Sequence, residues 1–175
     1  MLDKFLFLAV FFFSSSVISG ETNFPDIDAK DLNKNEFNIP DSLSEGFNVF
    51  ILSFNRDMQM DADEWFQALV LLRGQASEIN IYNMPVIPDP GRFVRGFINR
   101  GFKSLYKSKD VRSKIIILYV DQESFFKALS IDENIRNKPV ILLLNKNAKI
   151  IYRVDGSYQP DKFNQLISFI KNDNY

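Results

Sequence analysis

Two short apolar runs stand out: Phe-Asn-Val-Phe-Ile-Leu-Ser-Phe at residues 47–54 and Lys-Ile-Ile-Ile-Leu-Tyr-Val-Asp at residues 114–121. Runs of this length, rich in β-branched and aromatic residues with few polar interruptions, predict central strands buried on both faces. Between them the period changes. Trp65, Phe66, Leu69, Val70 and Leu72 recur at helical spacing, and Gly74 is placed to close that helix. Residues 78–83 alternate like a strand. Residues 84–90, Met-Pro-Val-Ile-Pro-Asp-Pro, hold three prolines, which remove donors and fix φ, so irregular structure is expected there. Residues 92–106 then predict a helix with Phe93, Phe97, Ile98, Phe102 and Leu105 on one side.

Further on, Phe125, Phe126 and Leu129 predict a short helix over residues 122–129. Apolar runs at 139–144 and 149–154 flank Asn-Lys-Asn-Ala at 145–148, a hairpin signature. Pro160 opens a last amphipathic helix through Phe163, Leu166, Ile167 and Ile170. Residues 24–45 read as an extended entry with a turn at 33–35. The order β-α-β-α-β-α-β-β-α predicts an α/β domain whose mixed sheet carries helices on both faces. With 175 residues, 46% hydrophobic and 25% charged, the chain has the size and balance for one buried core. We expect that core over residues 47–175, with residues 21–46 as an N-terminal extension.

The first twenty residues read as an address rather than as fold. Lys4, offset by Asp3, leads into an apolar run at 5–13, then a small-residue stretch, Ser-Ser-Ser-Val-Ile-Ser-Gly, offers cleavage after Ser19 or Gly20. This is the pattern of a secretory signal peptide; an uncleaved N-terminal anchor is the alternative. The expectation is an exported protein, periplasmic or extracellular.

Composition narrows the chemistry. The chain has no cysteine and no histidine, which removes thiol redox chemistry, Cys/His zinc sites and imidazole acid–base catalysis together. No cofactor is expected, and any metal would be a hard cation on oxygen ligands. The net charge of −1 hides two opposed blocks: eleven acidic against three basic residues over 21–64, and eight basic against one acidic over 92–114. They could face each other in the fold, or one could face a partner.

The segment Ile-Arg-Asn-Lys-Pro-Val-Ile-Leu-Leu-Leu-Asn-Lys-Asn at 135–147 resembles the thioredoxin segment in which a cis-proline opens the strand before the last hairpin; Pro139 is its counterpart. Gly156 sits where that superfamily often has glycine, and residues 24–40 resemble the N-terminal extension of peroxiredoxin-like and cytochrome-maturation-like members. The resemblance implies a thioredoxin-like three-layer sandwich. It also puts the Cys-x-x-Cys position near residues 58–61, where this chain has Met-Gln-Met-Asp, so the superfamily's redox chemistry does not carry over. The tri-proline loop, the Arg- and Phe-rich helix, Asp121, Phe125, Phe126 and Ala-Leu-Ser-Ile at 128–131 resemble a narrower, cysteine-poor branch: the mitochondrial ATP-synthase assembly-factor family and its exported bacterial relatives. In the mitochondrial members the fold serves as a chaperone for a membrane subunit.

Three constellations are candidates for function. Asp57, Asp61, Asp63 and Glu64 crowd the expected active-site corner, where they could hold Ca²⁺ or Mg²⁺ for a metal-dependent enzyme, or else cap and charge-complement the helix, Asp61 as the cap. Met58, Met60, Tyr82 and Pro139 would line a groove for an extended polypeptide, or be ordinary core. Arg92, Arg95, Arg100 and Lys103, interleaved with Phe93, Phe97 and Phe102, fit an anionic lipid surface or an acidic protein partner. The alternative puts those phenylalanines in the core. A sequence pI of about 5.5 and an export signal argue against nucleic acid. The reading that results is a redox-inactive binding, assembly or chaperone module with a protein partner.

Overall fold

The computed structural model describes residues 22–73 and 79–172. The expected signal peptide and the helix-closing Gly74 lie outside the described residues.

The chain enters along the far hairpin, where Phe24 donates its N–H to the Ala148 carbonyl (2.8 Å). Its ring is buried edge-on against Phe50 and Phe125, at 5.0 and 5.7 Å. Strands β1 (Ile27–Lys30) and β2 (Glu36–Ile39) then form an antiparallel hairpin. Asp31 makes its turn: Oδ1 accepts the N–H groups of Asn33 (2.7 Å) and Asn35 (2.9 Å), while Oδ2 accepts the Asn35 side-chain amide (2.7 Å). That Asx geometry lets a short polar side chain stand in for backbone partners.

The main sheet has the order β5-β4-β3-β6-β7. Strand β3 (Phe47–Ser53) lies at its centre, parallel to β4 (Ile79–Pro88) and antiparallel to β6 (Val140–Leu144). Side chains alternate across it: Val49 and Ile51 enter one core, Phe50 and Leu52 the other. Helices α1 (Gln59–Arg73), α2 (Arg92–Leu105), the short α3 (Lys109–Arg112) and α5 (Pro160–Asn172) contribute to the first core. The hairpin β1–β2 and helix α4 (Gln122–Ala128) cover the other face. The result is three layers, as the element order predicts. Strand β7 (Ile150–Asp155) closes one edge after the turn at Asn145, whose Oδ1 accepts from Asn147 (3.0 Å) and Lys149 (3.1 Å).

Three local expectations need correction. Residues 84–88 are not irregular but continue β4. Asn83 directs both backbone groups toward the β5 side, donating to Lys114 (2.8 Å) and accepting from Ile116 (3.0 Å). Alternation points Pro85 the same way, where the ladder lapses at Ile117, and points Pro88 toward β3 but beyond its last residue, Ser53. Neither proline breaks a ladder bond, which is the condition for proline in a strand. The second apolar run is buried, yet β5 (Leu118–Val120) is an edge strand rather than a central one. The Asp31 turn covers the approach to that edge by bridging to Ile116. The cis peptide among the described residues is Ile39–Pro40, not the bond before Pro139. Pro139 instead leads directly into β6, where its missing N–H costs nothing, and its carbonyl accepts from Gly156 (2.8 Å).

Candidate functional site

The corner at the start of α1 is filled rather than open. Asn55, not Asp61, makes the cap: its Oδ1 accepts from the N–H groups of Asp57 (3.0 Å) and Met58 (3.2 Å) in the 3-10 turn Arg56–Met58. Asp61 instead accepts from the Ser157 hydroxyl at 2.6 Å, which ties α1 to the loop after β7. Trp65, wholly buried one turn on, donates to the Gly156 carbonyl at 3.0 Å and meets Tyr158 edge-on at 5.4 Å. A shallow open cleft of about 430 Å³ lies beside this seam, lined by Ile135, Lys138, Gly156, Ser157 and Lys162 among others.

The expected groove is not there as a surface. Met58 and Tyr82 are core residues and Pro139 is buried; of the four, Met60 alone is exposed. The hairpin β1–β2 accounts for Tyr82, since Phe37 packs on its ring at 4.8 Å while Phe50 meets it at 5.8 Å. Met58 turns its sulfur inward to accept the Phe54 N–H at 3.4 Å.

The carboxylates of this corner diverge. Asp57 is exposed, Asp61 faces Ser157, and Asp63 turns under α2. There Asp63 Oδ1 accepts from Tyr106 (2.9 Å), from the buried Asn83 amide (3.1 Å) and from Gln59 (3.3 Å). Among the described residues no group of three acidic side chains is placed to hold a metal ion. Burial, with the Asp63 charge beside it, holds the Tyr106 phenol well above its usual range.

Helix α2 is clasped at two places. Tyr106 fastens its end to α1. At its middle, Tyr119 of β5 donates to Asn99 Oδ1 (2.9 Å), and one turn earlier the Arg95 guanidinium lies over the Tyr119 ring at 4.9 Å. Asp89 accepts from Arg95 Nε (2.7 Å) and from the Gly91 N–H (3.0 Å), which holds its carboxyl below the usual range. Burial pushes the Tyr119 phenol up to about 12. Ile98, Phe102 and Tyr106 pack on the core from this helix.

The other phenylalanines of α2 do not enter the core. Phe93 is 89% exposed, Phe97 68% and Leu105 67%, with Val94 exposed beside them. Beside this apolar face stand Arg92, Arg100 and Lys103, all exposed. The Arg100 guanidinium lies over the Phe97 ring at 4.6 Å; among the described residues none of the three makes an ion pair. Arg95 is the exception, occupied by Asp89 and Tyr119. Among the described residues, the acidic side chains of 22–64 therefore leave these three cations without an ion-pair partner. Hydrogen bonds between the two blocks include Leu32 N–H to the Arg112 carbonyl (3.2 Å), the Asn33 side chain to the Lys109 carbonyl (2.9 Å), and the bonds of Asp63 and Gln59 with the Tyr106 hydroxyl.

Solved structures decide the fold. The thioredoxin domain of a thiol-disulfide oxidoreductase from Bacteroides vulgatus is 14% identical with a TM-score of 0.56, covering 86% of this chain and 96% of its own. BsSco, a member of the Sco family of cytochrome c oxidase assembly proteins, is 12% identical with a TM-score of 0.57, covering 87% and 93%. This chain has the thioredoxin-like fold. The exposed lipoprotein thioredoxin of Streptococcus pneumoniae, at 9% identity and TM-score 0.54, covers 83% of this chain and 99% of its own. No family model and no curated protein matches the sequence. The fold is thus that of thiol–disulfide proteins, carried by a chain with no cysteine.

The exposed face of α2 was only half legible in the sequence. Helical spacing put Phe93, Phe97 and Phe102 near one side, but which of them meets the sheet depends on Tyr106 and Tyr119, whose partners are distant in sequence. The Asp63–Asn83–Tyr106 cluster went unseen for the same reason.

Proposed function

We propose that this protein is an exported, redox-inactive member of the thioredoxin-like superfamily that acts as a binding or assembly module through helix α2. The observation that carries the reading is the exposure of Phe93 and Phe97 beside three cations that make no ion pair among the described residues, on a helix fastened at its middle and its end. Exposed apolar patches of this kind mark interaction sites. The burial of Met58 and Pro139 supports the same reading, because neither side chain offers a surface to a partner. Export rests on the leader-like residues 1–20, and a role in assembly rests on the resemblance to the cysteine-poor assembly-factor branch.

A photo-crosslinking side chain placed at residue 97 in the full chain, and separately at residue 135 beside the cleft, tests the reading in cells that make the protein. Adducts from residue 97 and none from residue 135 are expected. Adducts from residue 135 alone would return the function to the old redox corner.

A further inference from the structure

We infer that the outward face of α2 docks on an anionic lipid surface, with Phe93 and Phe97 entering the headgroup–acyl boundary and Arg92, Arg100 and Lys103 pairing with lipid phosphates. The inference rests on the reading that α2 is the binding element and names what it binds.

At 3.6 residues per turn, α2 divides into three sectors. One faces the domain, through Ile98, Phe102 and Tyr106 with Arg95 and Asn99 at its margin. The second, Phe93, Val94, Phe97 and Leu105, is exposed and apolar. The third, Arg92, Arg100 and Lys103, is exposed and cationic. The helix holds no acidic residue over its 14 positions. A helix with cations beside a Phe- and Leu-bearing face is the pattern that lies in the plane of an interface. Among the described residues no helix is long and apolar enough to cross a membrane, so the geometry is that of lying on one.

Shape and charge favour lipid over protein. The face is the convex side of one helix, and Gly96 and Gly101 have no neighbour within 4 Å where a Cβ would point. A fluid interface conforms to such a convex face without needing a matching groove in it. A second copy meeting this face symmetrically would set three unpaired cations against three more, which is unfavourable. Anionic headgroups neutralise them. With the Arg100 guanidinium over the face of the Phe97 ring at 4.6 Å, the ring can enter while the guanidinium beside it pairs with phosphate.

The test uses the full chain with Phe93→Trp read against the parent chain, whose single tryptophan, Trp65, is buried, so that quenching gained over the parent reports α2 whatever the leader residues do. Vesicles of phosphatidylcholine with phosphatidylglycerol, carrying brominated acyl chains, should quench the residue-93 fluorescence; vesicles of phosphatidylcholine alone should quench it far less. Each cation near an anionic leaflet contributes about fivefold in partitioning, so changing Arg92, Arg100 and Lys103 to Gln should weaken quenching roughly a hundredfold. Phe97→Ser should weaken it about tenfold. Because these side chains leave the core untouched, the thermal transition of each variant should match that of the parent, which separates lost docking from lost fold. Absence of quenching by the anionic vesicles, or equal quenching by neutral ones, overturns the lipid assignment. If the residue-97 crosslinker then gives protein adducts, α2 remains the binding element with a different partner; if it gives none, that reading falls too.

Discussion

Replacing Trp65 with alanine is expected to lower stability by about 3–5 kcal/mol, the range for truncating a large buried aromatic. For a domain of this size, at about 2–4 °C per kcal/mol, that is a fall in Tm of roughly 6–20 °C. Two losses combine. The indole of this α1 residue is wholly buried, with Tyr158 edge-on to it, and its Nε1–H donates to the Gly156 carbonyl at 3.0 Å. Trp65→Phe keeps most of the volume and loses the hydrogen bond, so it should cost less, about 1–3 kcal/mol. Phe93→Ala provides the contrast, since an exposed side chain away from any core contact should change stability by less than about 0.5 kcal/mol. Thermal and urea unfolding of the three variants gives the comparison. A Phe93→Ala loss as large as that of Trp65→Ala would mean that α2 buries the face described as open.

The second large effect is expected at the clasp under α2. Asp63→Ala removes the acceptor shared by Tyr106, Asn83 and Gln59 and leaves the buried Asn83 amide without it, at a cost of about 2–3 kcal/mol. Asp63→Asn keeps an oxygen in place and should recover part of this, whereas a loss from Asp63→Asn equal to that from Asp63→Ala would assign the effect to charge alone. The clasp also sets a basic limit on stability. Both phenols have folded pKa values raised above the unfolded value near 10, Tyr119 to about 12 and Tyr106 further. The fold therefore retains protons that the unfolded chain has released. Stability is intact below pH 10 and falls as pH rises from 10 toward about 12. Phenolate absorbance should show this loss, and Tyr119→Phe should reduce it. A stability curve flat across that interval would contradict the burial assigned to these phenols.

The fold was largely legible because its signals are local. The apolar run of β3, the Asn145 turn and the spacing of Trp65, Phe66 and Leu69 each name an element without reference to the rest. What failed depended on pairing. Proline at 85 and 88 looked strand-breaking until the neighbouring ladders were known to lapse opposite those residues. The same applies to Met58 and Tyr82, which read as a groove until hairpin β1–β2 and α4 filled that face. The candidate site was legible as a list of residue types, Arg and Phe in alternation, but not as a surface. Its division into Arg95, held by Asp89 and Tyr119, and the unpaired Arg92, Arg100 and Lys103 is set by contacts between elements. The missing cysteines, by contrast, could be read directly, and they separate this chain from the redox chemistry of its structural neighbours.

If the molecule binds through the outward face of α2, and not through the corner at Met58 and Pro139, a bound surface should cover the α2 amides and leave that corner as it is. Hydrogen exchange on the full chain, with and without membranes from cells that produce it, tests this most directly. Slowed exchange of the α2 amides, with the turn at Arg56–Met58 and the cleft residues Ile135 and Lys138 unchanged, is the result predicted. Protection at that turn and cleft while α2 exchanges as before would contradict the account.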